Sequence, residues 1–295
     1  MPYPRAASTA SPLIAAPLSH ALQPLRQAIA NQVIGVFNDQ AKGERPVKRQ
    51  PDGLFGPRSV AWRVHGDVAG MMVGGVTGLM LQMLHPSVLG GVWDHSKFRT
   101  DLHGRLRRTA RFIALTTYGG RDEAEAVIAR VRRIHDHVGG KLQDGTVYSA
   151  NDPALLAWVH VTETTSFLGG WLRYVEPCMS RSDQDRYHAE MAEIGRALGA
   201  DPVPSSRASA ETLIRSMRPA LRYDDRVREV SHYLLHQRPE NPLARPLQTL
   251  TMKAALDLLP IWARRMHRLP SVTLDQPLVR ASMLGVARTL RWAFA

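Results

Sequence analysis

The sequence from Val68 to Leu84, Val-Ala-Gly-Met-Met-Val-Gly-Gly-Val-Thr-Gly-Leu-Met-Leu-Gln-Met-Leu, contains no charged residue. It belongs to a predicted helix that runs from about Ala61 to Leu84 and is closed by His85-Pro86, because the residue before a proline disfavours helical angles. Each glycine in a helix costs up to about 1 kcal/mol relative to alanine. Close approach of another helix or of a flat ligand would explain a ladder of glycines, which recur here at Gly66, Gly70, Gly74 and Gly78.

An uncharged stretch with small residues four apart is also found in membrane-spanning helices. This stretch is slightly short for a span, it contains Gln82, and it begins beside Asp67. We therefore expect a helix that is buried in a protein core.

Helical periodicity continues through the chain, and no segment shows sustained alternation of apolar and polar residues, so we expect an all-α fold class. Residues 1–57 are predicted to form an N-terminal arm, a short helix and a polar connector, and residues 58–295 a single all-α domain. Asp152 as N-cap and Pro153 as first helical residue predict the start of one helix. A further helix is expected from about Arg181 to Leu198.

The composition restricts the classes of partner. The 295 residues are 44% hydrophobic, enough for a sizeable core, and their net charge is +12. The arginines are spread over many helices without a compact basic run that alternates with aromatic residues, so no nucleic-acid partner is expected. Arginine-rich amphipathic helices leave a peripheral membrane contact open. Nothing in the sequence predicts an oligomeric state.

Other features concern location and reaction class. The single cysteine, Cys178, excludes an intramolecular disulfide and a cysteine-based zinc site, and it is compatible with a reducing compartment. The first 36 residues lack the pattern of a secretion signal, so a cytoplasmic location is expected. No phosphate-binding loop and no nucleophile elbow occurs, so nucleotide and acyl-transfer chemistry are not supported.

Two polar residues are predicted on core-facing positions of neighbouring helices. Arg105 shares a helix face with Thr109 and Phe112, and His135 falls within the apolar stripe of Ala124 and Ile128. His137 projects nearly opposite to His135. Because an inward arginine and histidine are costly to bury, they predict a lined pocket.

A neutral imidazole in apolar surroundings is a good ligand for iron or zinc. A haem needs one protein ligand and carries propionates that an inward arginine can neutralise, so His135 with Arg105 fits haem better than zinc. The alternative is a hydrogen-bonded core histidine at His135 and a buried ion pair at Arg105.

Two other groupings are candidate metal sites. His232 and His236 have the i, i+4 spacing of a metal pair, without an identifiable third ligand. His160-x-x-Glu163 and Glu190-x-x-Glu193 could together form a di-iron site. Such a site is built from repeated Glu-x-x-His pairs, whereas here the order of histidine and glutamate is reversed and the set of pairs is incomplete.

Several motifs follow one another in a defined order: the Gly-rich helix ending in Leu81-Gln-Met-Leu-His-Pro86, His95-Ser-x-Phe98, Arg105-x-x-x-Thr109, His135-x-x-Val138-x-Gly140, Gly145-x-x-Tyr148-x-Ala-x-Asp-Pro153 and Trp158-Val-His160. This series resembles the family that includes latex-clearing proteins and the membrane-associated oxygenase of mycophenolic acid biosynthesis. The resemblance is strong from about residue 60 to 175. It is weaker afterwards, where Leu259-Pro260 and Arg264 are still similar.

The resemblance implies a globin-like helical core with additional helices that holds a b-type haem. It implies that His135 is the proximal iron ligand, and that Arg105 and Thr109 contact propionate or substrate and fix local hydrogen bonds. In latex-clearing proteins a lysine just before that threonine can occupy the distal iron position. Here the position is Arg108, a poor iron ligand because its guanidinium stays protonated. No acidic residue can be matched to the base proposed in that subgroup, so rubber cleavage is not implied.

The candidate catalytic residues are therefore Arg105, Arg108 and Thr109. His135, Arg105, Thr109, Gly74 and Phe112 are the candidate haem-binding residues, and Met71, Met72 and Ile113 complete the predicted apolar wall. We expect a haem b-dependent oxygenase that acts with O₂ on a small lipophilic substrate, alkene or terpenoid-like. Two alternatives are a non-catalytic haem-binding sensor or carrier, and a helical binding protein without haem.

Overall fold

The structure, a computed structural model, describes residues 15–38, 43–237, 242–270 and 273–294. Over these residues the fold is all-α, as the helical periodicity predicts. The helices are α1 Ala15–Phe37, α2 Val60–His65, α3 Val68–Gln82, α4 Pro86–His95, α5 Leu102–Tyr118, α6 Arg121–His135, α7 Pro153–Tyr174, α8 Arg181–Leu198, α9 Arg207–Met217, α10 Asp225–Leu235, α11 Arg245–Leu258, α12 Ile261–Met266 and α13 Gln276–Phe294.

Two short strands, β1 Gly139–Lys141 and β2 Val147–Ser149, form an antiparallel hairpin that the sequence pattern did not predict. Three residues are too few for a visible alternation of apolar and polar side chains. Tyr148 is buried beneath the hairpin, where its hydroxyl donates a hydrogen bond to Asp94 Oδ2 on α4 at 2.5 Å. The hairpin therefore attaches the end of α6 to α4.

The helix predicted from Ala61 to Leu84 is two helices, α2 and α3, so that prediction was wrong at Gly66–Asp67. Asp67 caps α3 by accepting a hydrogen bond from the Gly70 amide at 2.7 Å. Its other carboxylate oxygen forms an ion pair with Arg291 on α13 at 2.7 Å. Because these partners hold the buried Asp67 side chain outside the helix, the chain changes direction before α3 begins.

The glycine ladder brings α3 into direct contact with α7. The Gly170 backbone lies against Gly70, and a Cβ added at Gly74 would lie 2.7 Å from the Ser166 carbonyl oxygen and 2.8 Å from the Phe167 Cα. The close approach predicted for Gly74 is therefore made by a helix rather than by a flat ligand.

Two hydrophobic cores lie on either side of this contact. The larger one joins α3 and α7 to α9, α10, α11 and α13, and it includes Val33 of α1. The second core joins α2, α7 and α8, and Met71 of α3 and Phe112 of α5 pack against it. Helix α1 is longer than the short helix expected in this region, and residues 1–14 of the expected arm lie outside the described residues. The division of the chain at residues 57 and 58 stays a prediction.

Local signals later in the chain agree with the structure. Asp152 caps α7 by accepting hydrogen bonds from the amides of Ala154 and Leu155, and Pro153 is the first helical residue. Helix α8 has the predicted bounds. Within the described ranges no single helix has both the length and the apolar composition of a membrane span. Helices α3 and α4 have them only when taken together, and the two helices are bent by 104° relative to each other.

Replacing Gly74 with alanine is expected to lower the free energy of unfolding by about 1–3 kcal/mol, because the new methyl group would collide with the backbone of α7. Urea unfolding followed by circular dichroism measures this loss. The matched control is Gly285→Ala in α13, where nothing lies within 4 Å of the added Cβ; it should be neutral or stabilising by up to about 1 kcal/mol. Equal losses in the two variants would contradict the packing described.

Candidate active site

Helices α5 and α6 pack against each other and are joined through Gly119 and Gly120, with Arg105 near the start of α5 and His135 at the end of α6. At a rise of about 1.5 Å per residue, each of the two residues lies about 20 Å along its helix from the turn. The two residues that the sequence predicts on the inner faces of two separate helices thus both lie far from the joint between these helices.

His135 is the last residue of α6 and is half-buried. Neither ring nitrogen forms a hydrogen bond with the residues that the structure describes, and Nδ1 is buried. Burial lowers the pKa of His135 below its ordinary value, against the opposing charge of Asp136. The imidazole is therefore neutral and has no internal partner, whereas the exposed His137 has its Nδ1 3.0 Å from the Arg133 carbonyl oxygen.

Arg105 is half-buried, and in the described part of the chain its guanidinium forms no ion pair and no hydrogen bond. Burial, and then the charge of Arg108, lower its pKa from the ordinary value. The buried ion pair and the hydrogen-bonded core histidine considered from the sequence are therefore both absent among these residues. An unpaired, partly buried cation is suited to an anionic group of a ligand.

Arg108 and Thr109 lie on the exposed side of α5. Arg108 forms an ion pair with Asp101 at 3.2 Å, and the Thr109 hydroxyl donates a hydrogen bond to the Arg105 carbonyl oxygen at 3.2 Å. Thr109 is exposed, whereas the sequence predicts an inward position, and its hydroxyl bonds to its own helix.

An apolar wall continues from Arg105 along α5. Phe112 and Ile113 are half-buried and pack with Phe167 and Met71 in the second core. Gly74 is covered by α7, but its neighbour Gly75 is half-exposed, and only the Phe167 ring, at 3.6 Å, lies near a Cβ added there. The Phe167 ring therefore lies beside Gly75 and belongs to the same core as Phe112 and Ile113.

A buried polar network that sequence reasoning missed lies beside the wall. The two ring nitrogens of His65 are 2.7 Å from the Thr117 hydroxyl and 2.9 Å from the Tyr187 hydroxyl. Burial lowers the pKa of His65 to about 3, so its imidazole is neutral. The three residues are on α2, α5 and α8, and no local sequence signal relates them.

Glu163 is a second group whose environment the sequence did not predict. It is half-buried on α7, and burial raises the pKa of its carboxyl group from 4.5 to about 7. No hydrogen bond or ion pair joins it to any described residue. A carboxyl group in this state can exchange a proton near neutral pH.

The alternative metal sites are not assembled. Glu190, required for the di-iron interpretation, accepts hydrogen bonds from the Ala61 amide at 2.8 Å and from Arg186 at 2.9 Å. The His232 and His236 rings stack at 4.2 Å, and His236 Nδ1 is 3.0 Å from the His232 carbonyl oxygen. Among the residues described, no group of three or more His, Cys, Asp or Glu side chains is arranged to hold a metal ion.

The sequence model of one protein family matches residues 62–292. The family is described as ER-bound oxygenase mpaB/B'/Rubber oxygenase, catalytic domain. The match extends from α2 into α13 and includes Arg105, His135 and Glu163. No curated protein and no solved structure is significantly similar to the chain.

Replacing Glu163 with glutamine is expected to change how stability depends on pH. Between about pH 4.5 and about pH 7 the folded carboxyl group holds a proton that the unfolded chain has released, so the free energy of unfolding of the wild type falls as the pH rises. Glutamine does not titrate, so the variant should gain stability relative to the wild type between about pH 5 and about pH 8. Urea unfolding at both pH values measures the change.

The control variant is Glu193→Gln, at an exposed position of α8. Its stability difference from the wild type should be the same at both pH values. The same result for Glu163→Gln would show that this carboxyl group titrates normally.

Proposed function

Since the chain belongs to the family of mpaB and rubber oxygenase catalytic domains, and is therefore an oxygenase, we propose that it depends on haem b. Its substrate in this proposal is a small lipophilic molecule, alkene or terpenoid-like, that is oxidised with O₂. The observation that carries the proposal is the neutral imidazole of His135, which has no hydrogen-bond partner among the described residues, together with the partly buried guanidinium of Arg105, which has no partner among them either.

The described residues fit a haem. His135 would hold the iron, since a neutral ring nitrogen without a protein partner is available for coordination. Arg105 would neutralise a propionate, which also satisfies its own charge. When bound, the haem iron would supply the one-electron chemistry that activates O₂, which protein side chains do not perform on their own.

The chain's own residues have separate tasks in this proposal. Phe112, Ile113 and Met71 would bind the apolar part of the substrate and exclude water from it. Thr109, by bonding to the Arg105 carbonyl oxygen, would fix the turn of α5 that presents Arg105. Arg108 would remain with Asp101 and stay off the iron, because a protonated guanidinium has no free electron pair to donate.

The wider setting is part of the same proposal. Residues 58–295 would form one haem-binding domain with a globin-like core, located in the cytoplasm, and Gly74 would support the site through its contact with α7. The exposed free Cys178 supports a reducing compartment. The net charge of +12 supports a transient contact with an anionic membrane surface that carries lipophilic substrates.

The full chain, purified after expression with a haem precursor, is expected to show a Soret band that shifts on reduction and on addition of CO. Oxygen consumption by the reduced protein should depend on an added lipophilic alkene. A colourless protein without iron in elemental analysis would contradict haem dependence. A Soret band without substrate-dependent oxygen uptake would favour the sensor or carrier.

His135→Ala is expected to abolish haem retention through gel filtration, because it removes the only group assigned to the iron. His137→Ala should retain haem like the wild type, since His137 is exposed and its ring contacts a backbone carbonyl group. The ratio of Soret absorbance to protein absorbance measures retention. Equal retention in the two variants would refute the assignment of His135.

A further inference from the structure

Two neighbouring cavities at α11 and α13 have no task in the proposed function. The outer cavity, which is the more open to solvent, has a volume of about 430 Å³. The inner cavity has a volume of about 130 Å³ and is lined in part by α12. Lys253, Asp275 and Val279 line both, so the two cavities adjoin. Neither Arg105 nor His135 is among the described residues that line them.

The inner cavity is lined by Arg264 of α12, whose side chain is only 6% exposed. Its Nε donates a hydrogen bond to the Pro270 carbonyl oxygen at 2.9 Å. Its Nη1 is 4.0 Å from Asp257 Oδ1, which is too far for a hydrogen bond. A guanidinium has several N–H donors, and the described residues accept a hydrogen bond from only one nitrogen of this one.

Asp257 does not neutralise Arg264 fully, because it is held by two other arginines. Its Oδ2 accepts hydrogen bonds from Arg173 at 2.8 Å and from Arg280 at 2.7 Å, and its Oδ1 accepts one from Arg280 at 2.9 Å. Arg264 is the most buried of the three arginines and the one farthest from the carboxylate. A buried charge that is incompletely paired costs free energy, which a bound anion would recover.

The outer cavity supplies an apolar surface next to this charge. Leu250 of α11 and Leu278 and Val279 of α13 line it, and Leu278 is 70% exposed. Arg245, which also lines this cavity, adds a positive charge that favours an anion over a cation.

An ion pair lies where the two cavities meet. Lys253 Nζ is 3.1 Å from Asp275 Oδ2, and both side chains line both cavities. The two side chains are about half exposed, and ion pairs of this kind contribute little to stability. The pair can therefore open to let a ligand extend from one cavity into the other.

We propose that the two cavities bind an amphipathic carboxylate of the fatty-acid class, with its carboxylate on Arg264 and its hydrocarbon chain along Leu250 and Leu278. A planar carboxylate matches the parallel N–H groups of a guanidinium. A cavity of roughly 150 Å³ holds a benzene ring, so the inner cavity has room for a carboxylate group. The volume of the outer cavity lies within the range of about 300–1,000 Å³ that is usual for small-molecule sites.

Decanoate and decan-1-ol test the inference, because their chains have the same number of carbon atoms and only decanoate carries a charge. Isothermal titration calorimetry measures their binding to the full chain below the micelle concentration, at about pH 8, where the carboxylic acid is ionised. The wild type is expected to bind decanoate at least about 10-fold more tightly, as a charge-assisted hydrogen bond to a buried group allows. Arg264→Met should remove this preference, because methionine is apolar and carries no charge.

Three further variants control the experiment. Arg265→Met changes the next residue of α12, which is exposed and lines neither cavity, and should bind like the wild type. Arg264→Lys keeps the positive charge and should retain part of the preference for decanoate. Leu278→Asp places a carboxylate in the outer cavity and should weaken decanoate binding at least about 10-fold. Circular dichroism establishes that each variant is folded.

The outcomes decide the proposal in either direction. Because Leu278 is exposed, Leu278→Asp tests the site even where Arg264→Met does not fold. Equal affinities of the wild type for the two ligands, no binding of decanoate, or an unchanged decanoate affinity in Leu278→Asp would overturn the proposal. Equal losses in Arg264→Met and Arg265→Met would also overturn it, since they would reflect net charge rather than a site at Arg264.

Discussion

The backbone contact between α3 and α7 is the constraint on which the rest of the structure depends. Gly70, Gly74 and Gly170 leave no side chain between the two helices, so neither helix can shift without a collision. While α7 covers this face of α3, Met71 packs against the second core together with Phe112 and Ile113 of α5. The contact that holds the core together therefore also determines which residues form the wall of the candidate site.

Much of the fold could be predicted because its signals are local. The cap at Asp152, the proline after it and the bounds of α8 depend on residues within a few positions of one another. The break between α2 and α3 could not be predicted in this way. Asp67 is held by Arg291, which is 224 residues away in sequence, and no local pattern indicates that partner. The β1–β2 hairpin is too short to give a periodic signal.

In the candidate site, too, features within one helix could be predicted and contacts between helices could not. Helical spacing predicts inward positions for Arg105 and His135, and both are half-buried, because each position follows from the periodicity of one helix. Thr109, predicted on the same face by the same spacing, is exposed. The state of Glu163 depends on its burial where α7 packs against α3, and the network of His65 joins it to residues 52 and 122 positions away. Spacing within one helix carries no information on such contacts.

The ion pair between Asp67 and Arg291 also bears on the order of events during synthesis. Helix α3 is made early, but the guanidinium that neutralises the charge at its first turn is supplied by α13. Until that arginine leaves the ribosome, the nascent chain holds an acidic group that is buried in the finished protein without its counter-ion. The first turn of α3 thus acquires its counter-ion only after nearly the whole chain has been made.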